Sequence, residues 1–203
     1  MSPTTSVSRR RFLQSTAQAG GALLVGFTLP AGNRWAAMAA GSSAAGSPAA
    51  ATSSSLNAFV RIGDDDSITL IMHKSEMGQG VYTGLAQLLS EELECDPARV
   101  RIETAPVDPV YNNPFLPTQF TGGSMSISSS WQALRVSGAT ARTLLLQAAA
   151  NQWQVPVADC HAQNGVMHGP ANRKASYGQL AAAASRLPVP NPASVTLKPS
   201  SQF

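Results

Sequence analysis

His73-Lys74-Ser75-Glu76-Met77-Gly78-Gln79-Gly80-Val81-Tyr82-Thr83-Gly84-Leu85-Ala86-Gln87 is the stretch on which the reading of the fold turns. Ahead of it, Ile68, Leu70 and Met72 alternate with Thr69 and Ile71, the period-two pattern of a strand. Behind it, Val81, Leu85, Leu88, Leu89 and Leu93 recur at helical spacing. Glu76–Gly80 therefore spans a junction between a strand and a helix. Glycines at such a junction permit positive φ and let backbone N–H groups come close to a ligand. The helix N-terminus adds unpaired donors and partial positive charge. Gln79 offers a carboxamide that both donates and accepts, suited to the edge of a heterocycle. The plainer reading is a glycine-softened turn packed on its own helix, and a lone Gly-Gln-Gly does not separate the two.

Working outward, Gly63-Asp64-Asp65-Asp66 is a turn signal between Ala58–Ile62 and Ser67–Met72, which predicts a β-hairpin. The aspartates lack the further spaced oxygen ligands of a calcium loop and read as a solvated turn. The first helix ends near Glu94, where Asp96-Pro97 blocks its continuation. Val100, Ile102 and Thr104 alternate with Arg101 and Glu103, predicting a strand with one buried face. Ala105–Phe120, with Pro106, Pro109, Pro114 and Pro117, is a long loop leading into Thr121-Gly122-Gly123-Ser124, a placement that favours shaping a site. Ser128-Ser129-Ser130 supplies N-cap candidates for a long helix reaching about Trp153. Its stripe of Leu134, Gly138, Ala141, Leu145 and Ala148 predicts close packing on the sheet or the first helix. Trp131 and Trp153 read as packing residues. Asn164-Gly165 predicts a tight hairpin between Cys160–Gln163 and Val166–His168. Ser176-Tyr177-Gly178-Gln179 is a capping box opening a short Ala-rich helix to Ser185. From Leu187, Pro188, Pro190, Pro192 and Pro199 read as a linker, and the ending at Phe203 has the look of a truncated coding region. The fold class is α+β.

The formal charge of +3 invites a nucleic-acid reading. The excess comes from Arg9, Arg10, Arg11 and Arg34, whereas all 11 Asp and Glu lie beyond residue 56, where the chain is close to neutral. Nucleic-acid binding is therefore excluded as the main role. The two cysteines, Cys95 and Cys160, and the three histidines, His73, His161 and His168, show no metal-ligand spacing. In an oxidising compartment a disulfide between the cysteines remains open, and unpaired thiols are the favoured reading.

Ser8-Arg9-Arg10-Arg11-Phe12-Leu13-Gln14 has the form of a twin-arginine export signal. Ala19–Leu29 is an apolar run shorter than the about 20 residues a bilayer span needs, and fits a signal core. Ala37-Met38-Ala39 offers a cleavage site. Residues 1–39 are thus expected to be a signal peptide and 40–55 an Ala/Ser/Gly linker. Residues 56–187 follow as the domain, and 188–203 as the Pro-rich end. The expected location is the periplasm, with membrane association only through the export signal.

Glu-Met-Gly-Gln-Gly with Thr83 and Gln87, together with Thr121-Gly122-Gly123-Ser124-Met125-Ser126 and Gln132-Ala133-Leu134, resembles the cofactor-contacting segments of the xanthine dehydrogenase and aldehyde oxidase family. The similarity is greatest to its export-signal-bearing large subunits of the isoquinoline 1-oxidoreductase type, and runs from about Leu56 to Leu187. The resemblance implies part of a molybdenum-cofactor-binding domain. It also implies a molybdenum–pterin cofactor in its cytosine dinucleotide form, held by Gly78, Gln79 and Gly80 on one side and by Ser124, Met125 and Ser126 on the other. The protein supplies no metal ligand, because the metal is held by the pterin. The implied reaction is oxidation of aldehydes or N-heterocyclic aromatics with water as oxygen source. Electrons would leave to a small [2Fe-2S] subunit and a cytochrome acceptor. The general-base glutamate of that family belongs to a C-terminal motif this sequence does not contain. Glu76 is part of the Gln-loop motif and is not assigned that role, so no catalytic residue is expected here and the chain alone is expected to be inactive. The competing hypothesis is an exported α+β binding module without a redox cofactor. A third is a membrane-tethered structural protein, which requires an uncleaved signal.

Overall fold

The turn at Gly63–Asp66 joins β2 (Val60–Gly63) to β3 (Ile68–Met72) in an antiparallel hairpin, with Val60 opposite Leu70 and Ile62 opposite Ile68. The computed structural model describes residues 53–55 and 57–203. The expected signal peptide and most of the expected linker lie outside these residues. Ser53–Ser55 forms β1 and pairs antiparallel with β2, just ahead of the domain start read near Leu56. On the other side of β3 lies β4 (Val100–Thr104), in parallel register, so the first sheet runs β1-β2-β3-β4. A parallel neighbour needs a crossover, and α1 (Val81–Leu93) supplies it. Val100 and Ile102 of β4 are half-buried, beside Arg101, Glu103 and Thr104, which are exposed.

After the Pro-rich loop comes α2 (Ser126–Trp153), followed by β5 (His161–Gln163), β6 (Val166–Gly169) and β7 (Arg173–Ser176), an antiparallel sheet in that order. Asn164 (φ 50°) and Gly165 (φ 79°) make the expected tight turn. β7 is not announced by the sequence pattern, having one buried side chain, Ala175. The chain then enters α3 (Tyr177–Ala184) through a complete capping box: Ser176 accepts from Gln179 N–H, and the Gln179 side chain accepts from Ser176 N–H. Among the described residues no helix is long and apolar enough to cross a membrane. The architecture is α+β, as expected.

The core joins Leu70 and Met72 of the first sheet to Leu85, Leu89 and Leu93 of α1, Leu134 and Leu145 of α2, Met167 of β6 and Leu180 of α3. Tyr177 is buried, and its hydroxyl donates to the carbonyl of Leu93 at 2.6 Å, fastening α3 to the end of α1. The aspartate turn is not merely solvated: Asp66 accepts the N–H of Gly178 at 2.7 Å, at the start of α3. Burial pushes the Cys95 thiol up to about 11, and Cys160 is likewise raised by burial, so both free thiols are poor nucleophiles. Trp153 packs on Gly169, where a Cβ would lie 2.6 Å from its ring. Trp131 departs from the packing expectation: it is 41 % exposed, with the Arg135 guanidinium 5.7 Å from its ring.

α1 and α2 run side by side in the same direction, with Gly84 facing Ile127 and Leu89 and Glu92 facing Gly138. At the contact sits Glu92, wholly buried, its carboxylate bonded to Arg135 Nε at 2.7 Å and to the backbone N–H of Lys198 at 3.0 Å. Arg142 adds a longer ion pair at 3.7 Å and donates to the Glu92 carbonyl at 2.6 Å. The Pro-rich segment read as a linker is thereby anchored: Arg142 also holds the carbonyl of Thr196, and Lys198 Nζ pairs with Glu91 and Glu94. The tightest steric condition between the two helices is at Gly138, where an added Cβ would lie 2.6 Å from the Leu89 carbonyl oxygen. Gly138→Ala gains about 1 kcal/mol of helix propensity. Overpacking against a backbone atom costs about 1–3 kcal/mol, and the loss wins. Gly138→Ala is expected to lower the denaturant midpoint without changing the slope, and an unchanged or raised midpoint would refute this packing.

Candidate functional site

The loop between β3 and α1 is ordered by its own side chains. Glu76 Oε1 accepts from the N–H groups of Gly78 (2.8 Å) and Gly80 (3.0 Å), and Oε2 from that of Tyr82 (3.0 Å). The Tyr82 N–H does most to hold the Glu76 carboxyl below its usual range; desolvation opposes it, and the N–H groups of Gly80, Gly78 and Met77 add to it. Gly80, the residue before α1, has φ 75°, and a Cβ there would meet no atom within 4 Å, leaving open space beside the backbone. Gln79 turns inward on the loop: Oε1 accepts from Met77 N–H at 2.5 Å and Nε2 donates to the Ser75 carbonyl at 2.8 Å. The carboxamide expected at a heterocycle edge thus orders the loop in this structure.

Two bonds bring the second motif alongside. Thr121 Oγ1 accepts from Ser75 N–H at 2.9 Å, and Lys74 Nζ donates to the Phe120 carbonyl at 2.9 Å. The chain then turns through Gly123 (φ 59°) and Ser124 (φ 56°) into α2. The helix starts earlier than the serine run predicts, with Ser126 its first residue and Met125 its N-cap, lacking a side-chain cap. Ser128, Ser129 and Ser130 lie inside it instead. Ser130 Oγ is 2.9 Å from His73 Nε2, and Ser129 Oγ accepts from Asn113. Burial, followed by the charge of Lys74, pulls the His73 imidazole down to about 4, so it is neutral near pH 7.

The two motifs, distant in sequence, line one cleft of about 340 Å³. Gln79 and Gly80 lie on one wall, and Ser124 and Ser126 on the other. Gly78 and Met125, the other two candidates, shape the adjoining backbone and do not line it. Thr121, which falls within the second motif, and Ile127 also line it without having been assigned a contact, because their place depends on the loop ties and on the true start of α2. Because α1 and α2 are parallel, both N-termini open at this cleft; that of α2 has no side-chain cap, while at α1 the Glu76 carboxylate already takes the Tyr82 N–H and offsets part of the positive end. The arrangement suits an electron-rich or anionic ligand. It offers hydroxyls, glycine backbone and helix ends, and no metal ligand.

Glu76→Ala removes the two oxygens that accept from three N–H groups and is expected to speed hydrogen exchange at Gly78, Gly80 and Tyr82 while leaving the α2 core protected. Acidification should act alike. The folded pKa is lowered, so the bonds are complete above the usual carboxylate range and lost as pH falls through the lowered value. Unchanged exchange at these amides, followed by NMR, would remove Glu76 from this role.

The chain is 40 % identical over 166 residues to isoquinoline 1-oxidoreductase subunit beta of Brevundimonas diminuta, covering 77 % of this chain and 21 % of that protein. It is 29 % identical over 121 residues to a membrane-bound aldehyde dehydrogenase (pyrroloquinoline-quinone) of Gluconacetobacter polyoxogenes, covering 60 % of this chain and 15 % of that one. The chain thus spans about a fifth or less of the length of these relatives. Quinoline 2-oxidoreductase from Pseudomonas putida 86 superposes with a TM-score of 0.48 at 18 % identity, over 64 % of this chain and 16 % of that one. The profile described as "Molybdopterin cofactor-binding domain" matches residues 30–203, and with so much of the sequence matched the chain belongs to that family.

Proposed function

We propose that this chain supplies part of the cofactor site of a periplasmic molybdenum hydroxylase that oxidises aldehydes or N-heterocyclic aromatics with water as the oxygen source. The observation that carries the reading is the meeting of Gln79–Gly80 and Ser124–Ser126 in one cleft at two helix N-termini. The residues present fit a phosphate-bearing pterin: the open side of Gly80 leaves room for a ring or phosphate edge, and helix ends with hydroxyls match its anionic and heteroatom-rich rim. Gly80, Ser124 and Ser126 would hold the group, with Gln79 and Glu76 ordering the loop that presents Gly80. When bound, the group supplies the two-electron redox chemistry, and this chain's residues bind, orient and shield it. The cytosine dinucleotide form, a [2Fe-2S] partner subunit and a cytochrome acceptor belong to the same proposal. They are supported by the family, and by the relative's being one subunit of an assembly. No residue of this chain is assigned as catalytic, and the chain by itself is proposed to be inactive.

Purified alone, the chain is expected to hold far less than stoichiometric molybdenum and to oxidise neither substrate class. Within an assembly containing the rest of the cofactor site, Gln79→Ala should weaken retention about tenfold, the value of one or two modest hydrogen bonds lost from the loop. Gly80→Val should give molybdenum-free protein, since a β-branched residue disfavours positive φ and fills the open side. Elemental analysis and released-pterin fluorescence read both. Full molybdenum in both variants would reduce Gly78-Gln79-Gly80 to a plain turn, whereas an unaltered assembly free of molybdenum would favour the binding module without cofactor.

Export by the twin-arginine route is proposed from Arg9-Arg10 with Phe12-Leu13. Replacing both arginines with lysine keeps the charge and removes the guanidinium geometry. The double variant is expected to stay in the cytoplasm on fractionation, and its continued export in cells lacking the twin-arginine machinery would overturn the assignment.

A further inference from the structure

Beside the cofactor cleft lies a second cavity of about 300 Å³, lined among others by His73, Lys74, Ser75, Gln119 and Thr121, and sharing Thr121 and Met77 with the first. None of its lining residues is acidic. Lys74 is only 3 % exposed, and its ammonium, which has three donors, is bonded to one neutral acceptor, the Phe120 carbonyl. Among the described residues no carboxylate pairs with it. The nearest in sequence, Glu76, is turned to its own loop's N–H groups, and Glu103 pairs with Arg61. A buried cation without a counter-charge is costly. Elsewhere this chain avoids that cost: Glu92 has Arg135 and Arg142, and Lys198 has Glu91 and Glu94.

His73 supplies a second, independent sign. Its Nδ1 is buried without a partner, while Nε2 is shared with Ser130 Oγ. Where the Ser130 hydroxyl donates to Nε2, the proton sits on Nδ1, which is then a donor without a partner in a residue that lines the same cavity as Lys74. Each nitrogen lacks the same thing, a negative oxygen.

We propose that Lys74 and His73, with the hydroxyls of Ser75 and Thr121, form an oxyanion subsite that takes a carboxylate or phosphate group. The subsite stands on the cavity and its unpaired nitrogens, independently of what fills the adjoining cleft. The oxyanion comes either from a separate small molecule or from a phosphate carried by the occupant of that cleft. Lys74 thereby has two duties: pinning the loop through Phe120, and meeting the anion with its remaining donors.

The test is NMR on the cofactor-free full chain, following the Lys74 ε-carbon and the His73 ring while inorganic phosphate, and separately acetate, is added. Saturable shifts at both residues are expected, with both titration midpoints moving upward, since an anion favours the charged forms. Burial lowers both pKa values in the bare chain, so the direction is diagnostic. Lys74→Met should weaken phosphate binding at least tenfold, as read at His73, and Lys74→Arg should keep it. If Lys74→Met does not fold, the Lys74 resonance of the unaltered chain decides. In the cofactor-loaded assembly, midpoints already raised and indifferent to phosphate identify the cleft's occupant as the source. Continued phosphate binding there identifies a separate small ligand. No saturable shift at either residue, or undiminished binding in Lys74→Met, would overturn the subsite whether or not the chain holds molybdenum.

Discussion

The contact between α1 and α2 at Gly138 governs the rest of the molecule. It brings two helix backbones close enough that no Cβ fits, and it buries Glu92 where only paired guanidiniums and a backbone N–H make its charge tolerable. Removing one partner of a buried pair of this kind typically costs about 3–5 kcal/mol, because a lone charge is left behind. The contact therefore fixes the register of the two helices. With the register fixed, both N-termini open at the same place, and the cleft follows. The loops that line it need only local bonds to reach their positions.

Those local bonds explain why the site is preorganised. Glu76 holds three N–H groups, and Gln79 closes the loop from within. Thr121 and Lys74 stitch this loop to the next one. A motif that looks like a set of ligand contacts is, in its physical detail, largely a device for holding two positive-φ glycines open. The chemistry offered to a ligand is then backbone, hydroxyl and helix dipole, which matches a family whose metal is carried by its own organic cofactor.

Much of this was legible in the residues. The strand-to-helix junction, the hairpin at Gly63–Asp66, the Asn164-Gly165 turn and the capping box at Ser176 each rest on local preferences that the fold leaves undisturbed. The start of α2 was not legible, because five residues, Ser126–Ser130, all tolerate a helix start and three of them are serines in a row that resemble caps. Long-range partners decided the matter: Ser130 goes to His73 and Ser129 to Asn113. Glu92 could have been found, since it falls on the helical face of Leu85 and Leu89, where a carboxylate demands a partner. Its partners Arg135, Arg142 and Lys198 could not, being set by tertiary packing alone. β7 carries too few apolar residues to show a period, and the anchoring of the Pro-rich end depends on backbone groups that leave no trace in side-chain pattern.

The strap at Lys198 also bears on the order in which the molecule is made. Its N–H reaches Glu92 across 106 positions of sequence. At ordinary synthesis rates on the order of ten seconds separate the appearance of the two. During that interval α1 and α2 can pair, but the buried carboxylate lacks one of its hydrogen bonds and Arg135 and Arg142 lack the carbonyls that later fix them. The nascent domain is therefore looser at its helix pair than the finished one. The tie that holds the helix pair through the buried carboxylate is complete only once Lys198 has been made.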